Sequence, residues 1–412
     1  ADYFLVHDRD IHVRCDDSVT MIENGKPQVI RRARGYAPDP VLLPFKAREV
    51  LACGAQLKST FCITKDQYAF ISQHLGDLEN LETLSHFEHM LDLYQKLFRL
   101  QPHIIAHDKH PDYLTTRFAR ELKNRDATIE LIPVQHHHAH IVSCLTENKV
   151  TSPALGVAFD GSGYGEDGCI WGGEFFLVDH ASCHRLAHLE YVPLPGGEAA
   201  IKKPYRMAIS YLLTLLGTDA LGKSLSFLKH IGPGEKSIIE RQIEKGINTP
   251  LTSSAGRLFD GVSALMDIVK EVDYEGQAAV WLEMIAGESS EPTKLYPFEI
   301  EEKNGVKIVR LKKIFAAIVD DLIAGVPQPL IAATFHQTLA QMTACVCQAC
   351  SRATGIRQVA LSGGVFQNRL FATLARRYLA DAGLTVITHS AIPCNDGGIS
   401  LGQAVVANYL VM

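Results

Sequence analysis

Four histidines fall within five residues, in Val134-Gln135-His136-His137-His138-Ala139-His140. The Ile141-Val142-Ser143-Cys144-Leu145 that follows suits a helix, where residues four apart share a face with Cβ atoms ~5–6 Å apart. His136 and His140 are therefore placed to grip one metal ion, while His137 and His138 turn to other sides. Two imidazoles rarely complete a site, so a further ligand must come from elsewhere in the chain. The glycine-marked turn Cys394-Asn395-Asp396-Gly397-Gly398 offers one. Taken alone, Asp396 would more often be a helix cap. As a ligand it gives two histidines and one aspartate with open positions, a set that suits zinc or non-haem iron.

Two other loops could hold phosphate. Asp160-Gly161-Ser162-Gly163-Tyr164-Gly165-Glu166-Asp167-Gly168 packs four glycines into nine positions. Glycine lets successive backbone N–H groups converge on an anion, because no Cβ blocks the approach. A plain hairpin would need only two glycines, which favours phosphate. Ser362-Gly363-Gly364-Val365-Phe366-Gln367-Asn368 lies between an apolar strand and a helix. Such a junction presents free N–H groups and a helix dipole. Asn368 in the first turn is either a ribose or phosphate contact or simply the helix cap.

The elements that must position these residues follow a repeated grammar. Strand-like Glu49–Gly54 and Ser59–Ile63 flank a glycine turn. Helices are expected near 81–99 and 113–124, with a strand at His103–His107. Thr128–Ile132 feeds a strand straight into the histidine helix. The pattern then restarts with the strand Ala154–Phe159, its glycine loop, and strands near 170–178 and 184–192. A largely helical stretch is expected over 198–290. An Asn304-Gly305 hairpin comes next, then helices near 313–325 and 329–353. A strand–helix–strand segment covers 357–361, 366–381 and 384–388, and a last helix begins near Gly397. Two such units suggest related lobes facing each other across a cleft. Residues 1–44 read as short strands and turns, with a second hairpin signal at Asn24-Gly25. The opening Ala1-Asp2-Tyr3-Phe4-Leu5-Val6 is strand-like and lacks an initiator Met, as expected of a fragment that begins inside a larger polypeptide.

Composition narrows the function. The 412 residues are 47% hydrophobic and 21% charged, ordinary for a globular enzyme of two domains or lobes. A net charge of −6 argues against a large nucleic-acid footprint. Arg31-Arg32-Ala33-Arg34 is the one basic cluster, and composition favours a solvated strand end there over an anion pocket. Ten cysteines without dense, even spacing fit a reducing cytoplasm. Cys345, Cys347 and Cys350 sit in an apolar helical stretch and read as core packing. No apolar run approaches the ~20 residues that span a bilayer.

Taken together, the motifs resemble the C-terminal part of the HypF family of hydrogenase-maturation carbamoyltransferases, whose large domain is similar to TsaD-type enzymes. The resemblance runs from about residue 45 to the end. It rests on Gln135–His140, Phe159–Gly165, Trp171-Gly172-Gly173-Glu174, Gly256–Asp260, Tyr274–Ala279, Leu361–Asn368 and Asn395–Gly398, in that order. It implies an α/β, two-lobed, duplicated actin/Hsp70/sugar-kinase-like (ASKHA) fold with a central nucleotide cleft, preceded by a short β remnant. Residues 1–44 would be the tail of a YrdC-like domain, 45–150 the first lobe, and 151–412 the second lobe with a helical insertion. By position, His136, His140 and Asp396 match metal ligands. Asp160, Gly161, Ser162 and Gly163 match the loop around the phosphates, Asp260 the ribose carboxylate, and Gly276 and Asn368 further nucleotide contacts. Gly363 and Gly364 belong to the same nucleotide set. Glu198 stands where the family favours aspartate, and Lys202-Lys203 replaces a less basic pair.

The resemblance further implies a zinc or iron ion, ATP, AMP or carbamoyl-adenylate in the cleft, and Mg²⁺ as an additional candidate. The acceptor would be the C-terminal cysteine of a HypE-type partner, with neither nucleic acid nor membrane involved. A tRNA threonylcarbamoyl transferase of the TsaD type, a small-molecule kinase and an Hsp70-like nucleotide-switched scaffold are the competing expectations.

Overall fold

The structure is a computed structural model in which residues 2–23, 25–289 and 294–412 are described. Two mixed sheets form the centres of two lobes. In spatial order the first holds Val41–Ala47, Cys62–Ile71, Val50–Ala52, Ile104–Asp108 and Glu130–Val134. The first two pairings are antiparallel and the last two parallel. The second sheet repeats this pattern in Cys183–Leu189, Ile170–Val178, Ala154–Tyr164, Gln358–Ser362 and Thr385–Ile387. The repeat differs at one place. In the second lobe the outermost antiparallel strand follows the central strand in the chain, whereas in the first lobe Val41–Ala47 precedes it. That strand straddles residue 44, so the first lobe's sheet begins inside the segment expected to be the N-terminal remnant.

Each five-strand unit ends in a helix, and the two helices exchange lobes. His136–Glu147 follows the first sheet yet packs on strands of the second. Ile399–Val411 follows the second sheet yet packs on strands of the first. Both are buried along nearly their whole length, and they lie against each other. Gly402 permits this, since a Cβ there would meet the Ala139 carbonyl oxygen at 1.8 Å. Polar side chains fix the docking. Gln403 accepts from Gly54 N–H (2.8 Å) and donates to its carbonyl (3.3 Å). Asn408 accepts from Arg48 N–H at 2.8 Å and donates to Thr64 Oγ1 at 3.0 Å. Buried amides paired in this way satisfy groups that would otherwise destabilise the interface.

Separate hydrophobic clusters fill the first lobe, the interlobe layer and the second lobe with its helical insertion. Cys347 and Cys350 are buried and free, as core residues. The Asn304-Gly305 hairpin forms between Glu299–Lys303 and Val306–Arg310, with both turn residues at positive φ. Residue 290, where the helical stretch was expected to end, lies outside the described residues, as do Ala1 and Asn24. The strands flanking Asn24, Val19–Glu23 and Lys26–Arg31, pair antiparallel. The opening strand does not form. Tyr3 to Val6 are exposed and no described strand lies beside them to complete a ladder. The N-terminal hairpin bridges the lobes. Val29 N–H donates to Ser390 O, while the buried Arg32 donates to Ile71 O, Tyr36 O and Asp39 O. Arg32 is thus a structural peg, and Arg34 pairs with Asp17 at the surface. No described helix is long and apolar enough to cross a membrane.

Candidate metal centre and nucleotide cleft

The histidine helix starts where Gln135 caps it, its side-chain oxygen accepting from His138 N–H at 2.9 Å. That start turns His136 and His140 towards the interlobe cleft. His136 Nδ1 lies 2.7 Å from Asp108 Oδ2, at the end of the neighbouring parallel strand. Its Nε2 points the other way, 3.5 Å from Asp160 Oδ2 and 3.9 Å from Asp396 Oδ1. His140 Nε2 lies 3.6 Å from Asp396 Oδ1 and 3.9 Å from Asp160 Oδ2. The four ligand atoms all fall within 4.8 Å of one another.

These residues fit a metal. Both Nε2 atoms are buried without a hydrogen-bond partner, a costly state for a polar atom unless something else occupies it. Donors about 2.0–2.2 Å from one tetrahedral centre stand roughly 3.3–3.6 Å apart, close to the observed spacings. Two imidazoles and two carboxylates suit zinc or iron. Asp108 supplies the outer carboxylate that fixes the His136 tautomer.

Without a cation, the carboxylates of the cluster draw positive charge onto His136, the charge that a bound cation would replace. Burial pushes the His136 pKa down, but Asp108, Asp160 and Asp396 outweigh it and hold the imidazole well above its usual range. Burial likewise pushes Asp160 up, but the neighbouring imidazoles, His136 first, bring it well below the ordinary carboxylate range. His137 behaves oppositely. Buried near Trp171 and Phe176 and next to His136, it is held well below a free imidazole and so stays neutral. His138 Nε2 meets Asp179 O at 2.8 Å. His138 therefore turns away from the cluster, as its helical position suggests, whereas His137 stays beside it, its ring 5.3 Å from His136 and stacked 6.3 Å from His140.

Asp160 sits at an irregularity in its strand, where the register shifts between Phe159 and Gly163. The sequence pattern grouped it with the phosphate loop, and the structure brings its carboxylate to the histidines. Its other oxygen accepts from Gly364 N–H at 3.0 Å, so it links the cluster to the second glycine loop. Gly163 must be small, since a Cβ there would meet His137 Cε1 at 2.5 Å. Asp108 was missed altogether. Its only signal is a carboxylate ending the apolar run Ile104-Ile105-Ala106-His107.

The two glycine loops lie side by side at the ends of neighbouring strands of the second sheet. Gly363 lies over the Phe159 backbone, where a Cβ would meet the carbonyl oxygen at 2.2 Å. Ser254 Oγ donates towards the Asp160 and Gly161 carbonyls, at 2.9 and 2.7 Å, and so docks the helix Ala255–Leu265 against the first loop. Ser162 is half-buried beside it. Asp260 on that helix is buried and pairs with Arg257 at 3.1 Å. Burial raises its pKa, and Arg257 offsets part of the shift. Gly276, Gly364 and Asn368 line a slot of about 130 Å³ with Phe259, Ala279 and Val280. Asn368 caps the helix Arg369–Asp381 through Phe371 N–H (2.8 Å), and its amide nitrogen lies 3.0 Å from His336 Nε2.

Paired lobes of one strand order, with two glycine loops on neighbouring strands of the second, define an ASKHA-type protein. Its cleft carries a two-histidine, two-carboxylate centre. Family models agree on the particular kind. Residues 45–147 match the HypF Kae1-like domain, and residues 156–403 match the second subdomain of the carbamoyltransferase Kae1-like domain. The chain belongs to the HypF carbamoyltransferase family. It is 38% identical to carbamoyltransferase HypF of Synechocystis sp., over 98% of this chain and 53% of that protein. A carbamoyltransferase HypF homolog of Cupriavidus necator is 34% identical, over 87% and 91% respectively. A crystal structure of full-length HypF in the phosphate- and nucleotide-bound form superposes with a TM-score of 0.93 at 43% identity, over 100% of this chain and 63% of that one. HypF of T. kodakarensis gives 0.87 at 32% identity, over 97% and 53%. The chain spans about half the length of most curated relatives it matches.

Proposed function

We propose that this chain carries out the carbamoyl-transfer step of [NiFe]-hydrogenase maturation. The donor is carbamoyl-adenylate, made from carbamoyl phosphate and ATP, and the acceptor is the C-terminal cysteine of a HypE-type partner. The observation that carries the reading is the meeting of His136, His140, Asp160 and Asp396 beside the two glycine loops of a HypF-family cleft. The nucleotide-bound relative supports placing the adenylate there.

In this reading the slot beside Gly276 and Gly364 takes the base, Asp260 the ribose, and the Gly161–Gly163 and Gly363–Gly364 backbone the phosphate. Asp160 ties phosphate loop to metal centre, so both are held in one geometry, and such positioning can supply much of the rate. The acceptor thiolate attacks the carbamoyl carbon. A carbon–sulfur bond forms, the carbon–oxygen bond to the phosphate breaks, and AMP leaves with that electron pair. A zinc or iron ion held by the four ligands would supply Lewis-acid stabilisation of charge on a carbonyl or phosphate oxygen.

The test is incubation of the chain with isotopically labelled carbamoyl-adenylate and a peptide of the partner's C-terminus, followed by mass spectrometry. Label on the peptide cysteine, dependent on His136 and His140, is expected. Nucleotide binding without transfer would leave a nucleotide-switched scaffold as the better account. A shift of tRNA mobility would favour the threonylcarbamoyl reaction instead.

A further inference from the structure

His136 and His140 are held by different partners. His136 leans on Asp108 of the first lobe. His140 faces Ser362, which leads through His389 to Glu147, three residues to which the reading above gives no role. Its Nδ1 lies 3.5 Å from Ser362 Oγ, at the end of the strand Gln358–Ser362. Ser362 Oγ lies 2.8 Å from His389 Nε2, and His389 Nδ1 lies 3.3 Å from Glu147 Oε2. Ser362 and His389 are both buried. The Ser362 hydroxyl has one other acceptor in reach, Cys394 O at 3.4 Å, and the shorter contact to His389 is preferred.

One proton arrangement satisfies every member. His140 Nδ1–H donates to Ser362 Oγ, the Ser362 hydroxyl donates to His389 Nε2, and His389 Nδ1–H donates to the Glu147 carboxylate. Burial pushes the Glu147 pKa up, but His389 and the N–H groups of Ala391 and Ser390 bring it below the usual glutamate value, so the chain of donors ends on an anion. The arrangement leaves His140 Nε2 bare and directed at the cluster. Glu147 and His140 lie seven residues apart on one face of the histidine helix, separated by roughly 10 Å of helical rise. The chain thus leaves the helix at its last turn, crosses the second lobe's sheet ends, and returns to the ligand.

We propose that Glu147, His389 and Ser362 form a positioning relay that fixes the tautomer and ring orientation of the ligand His140. Outer hydrogen-bond partners of metal-bound histidines typically govern 10- to 100-fold of affinity. The relay rests on the metal-centre reading, and the experiment separates the two. Zinc affinity is measured by chelator competition for the unmutated chain, Ser362→Ala, His389→Ala and His389→Gln. Thermal unfolding of each metal-free protein and the visible spectrum of each Co²⁺ form are recorded alongside. Ser362→Ala and His389→Ala should bind zinc about 10- to 100-fold more weakly and shift the cobalt spectrum; His389→Ala, which empties a buried position, should also lower metal-free unfolding, whereas Ser362→Ala should change it little. His389→Gln still offers Ser362 an acceptor and should recover most of the affinity. Unchanged zinc affinity and cobalt spectra in Ser362→Ala would overturn the relay while leaving the metal centre standing. Equal losses in His389→Ala and His389→Gln would also overturn it. An unmutated chain that binds no metal would overturn both.

Discussion

Gly402→Ala tests whether the exchanged helices hold the metal centre together. At an ordinary helix position, replacing glycine by alanine stabilises by roughly 0.5–1 kcal/mol. Here the sign should reverse. The new Cβ would stand 1.8 Å from the Ala139 carbonyl oxygen and 2.6 Å from its carbon. Carbon–oxygen contacts settle near ~3.3 Å, so the helices must part by roughly 1.5 Å. Overpacking of this kind costs about 1–3 kcal/mol, and sometimes more. The separation also reaches the site, because Asp396 lies just before the moved helix while His136 and His140 lie on its neighbour. Metal ligands tolerate only about 0.2 Å of error, so metal affinity should fall more than tenfold. Thermal unfolding and chelator competition read the two effects. Gly234→Ala, on the helix Pro233–Lys245 with open space around it, is the control and should be neutral or stabilising. A Gly402→Ala protein as stable and as metal-competent as the unmutated one would refute the interlobe packing.

Three further outcomes are expected. His136→Ala and His140→Ala should each empty the centre in elemental analysis, and Asp160→Asn should reduce its metal content, since that carboxylate belongs to the cluster. ATP and AMP should bind in calorimetry, and Asp260→Ala should weaken both. Glu147 gives a pH signature. Its folded pKa lies below the unfolded value, so its stabilisation is present above about pH 4.3 and is lost as pH falls through the folded value. Glu147→Gln should therefore lose about 1.5–3 kcal/mol at neutral pH and show a shallower acid limb in denaturant titrations.

What the sequence reveals and conceals follows from the range of each signal. Turn and helix chemistry is local, so the Asn304-Gly305 hairpin, the glycine loops and the four-residue histidine spacing are readable where they stand. Asp396 is readable as a carboxylate at a glycine turn, although its role as cap or ligand depends on what faces it. Partners far apart in the chain leave no periodic trace. Nothing near Asp108 marks it as the partner of His136. Nothing near Asp160 tells whether its strand register turns the carboxylate towards phosphate or histidine, because one register step reverses the face. The Tyr3–Val6 stretch has strand chemistry, but a strand needs a neighbour, and none of the described elements supplies it.

The arrangement of supports has a thermodynamic consequence. Asp108 comes from the first sheet, Ser362 and Asp160 from the second, and Asp396 from the turn that carries the chain back onto the first. No lobe alone contains the four ligands with their orienting groups. A cation held by all four would stabilise the packing that brings them and Asp108 together, and by linkage that packing would strengthen cation binding by the same free energy. Asp160 extends that linkage to the nucleotide loops, because its second oxygen is fixed by Gly364. In the proposed reading, metal, nucleotide and lobe packing are three readouts of one equilibrium. A perturbation that opens the interlobe layer should weaken all of them together.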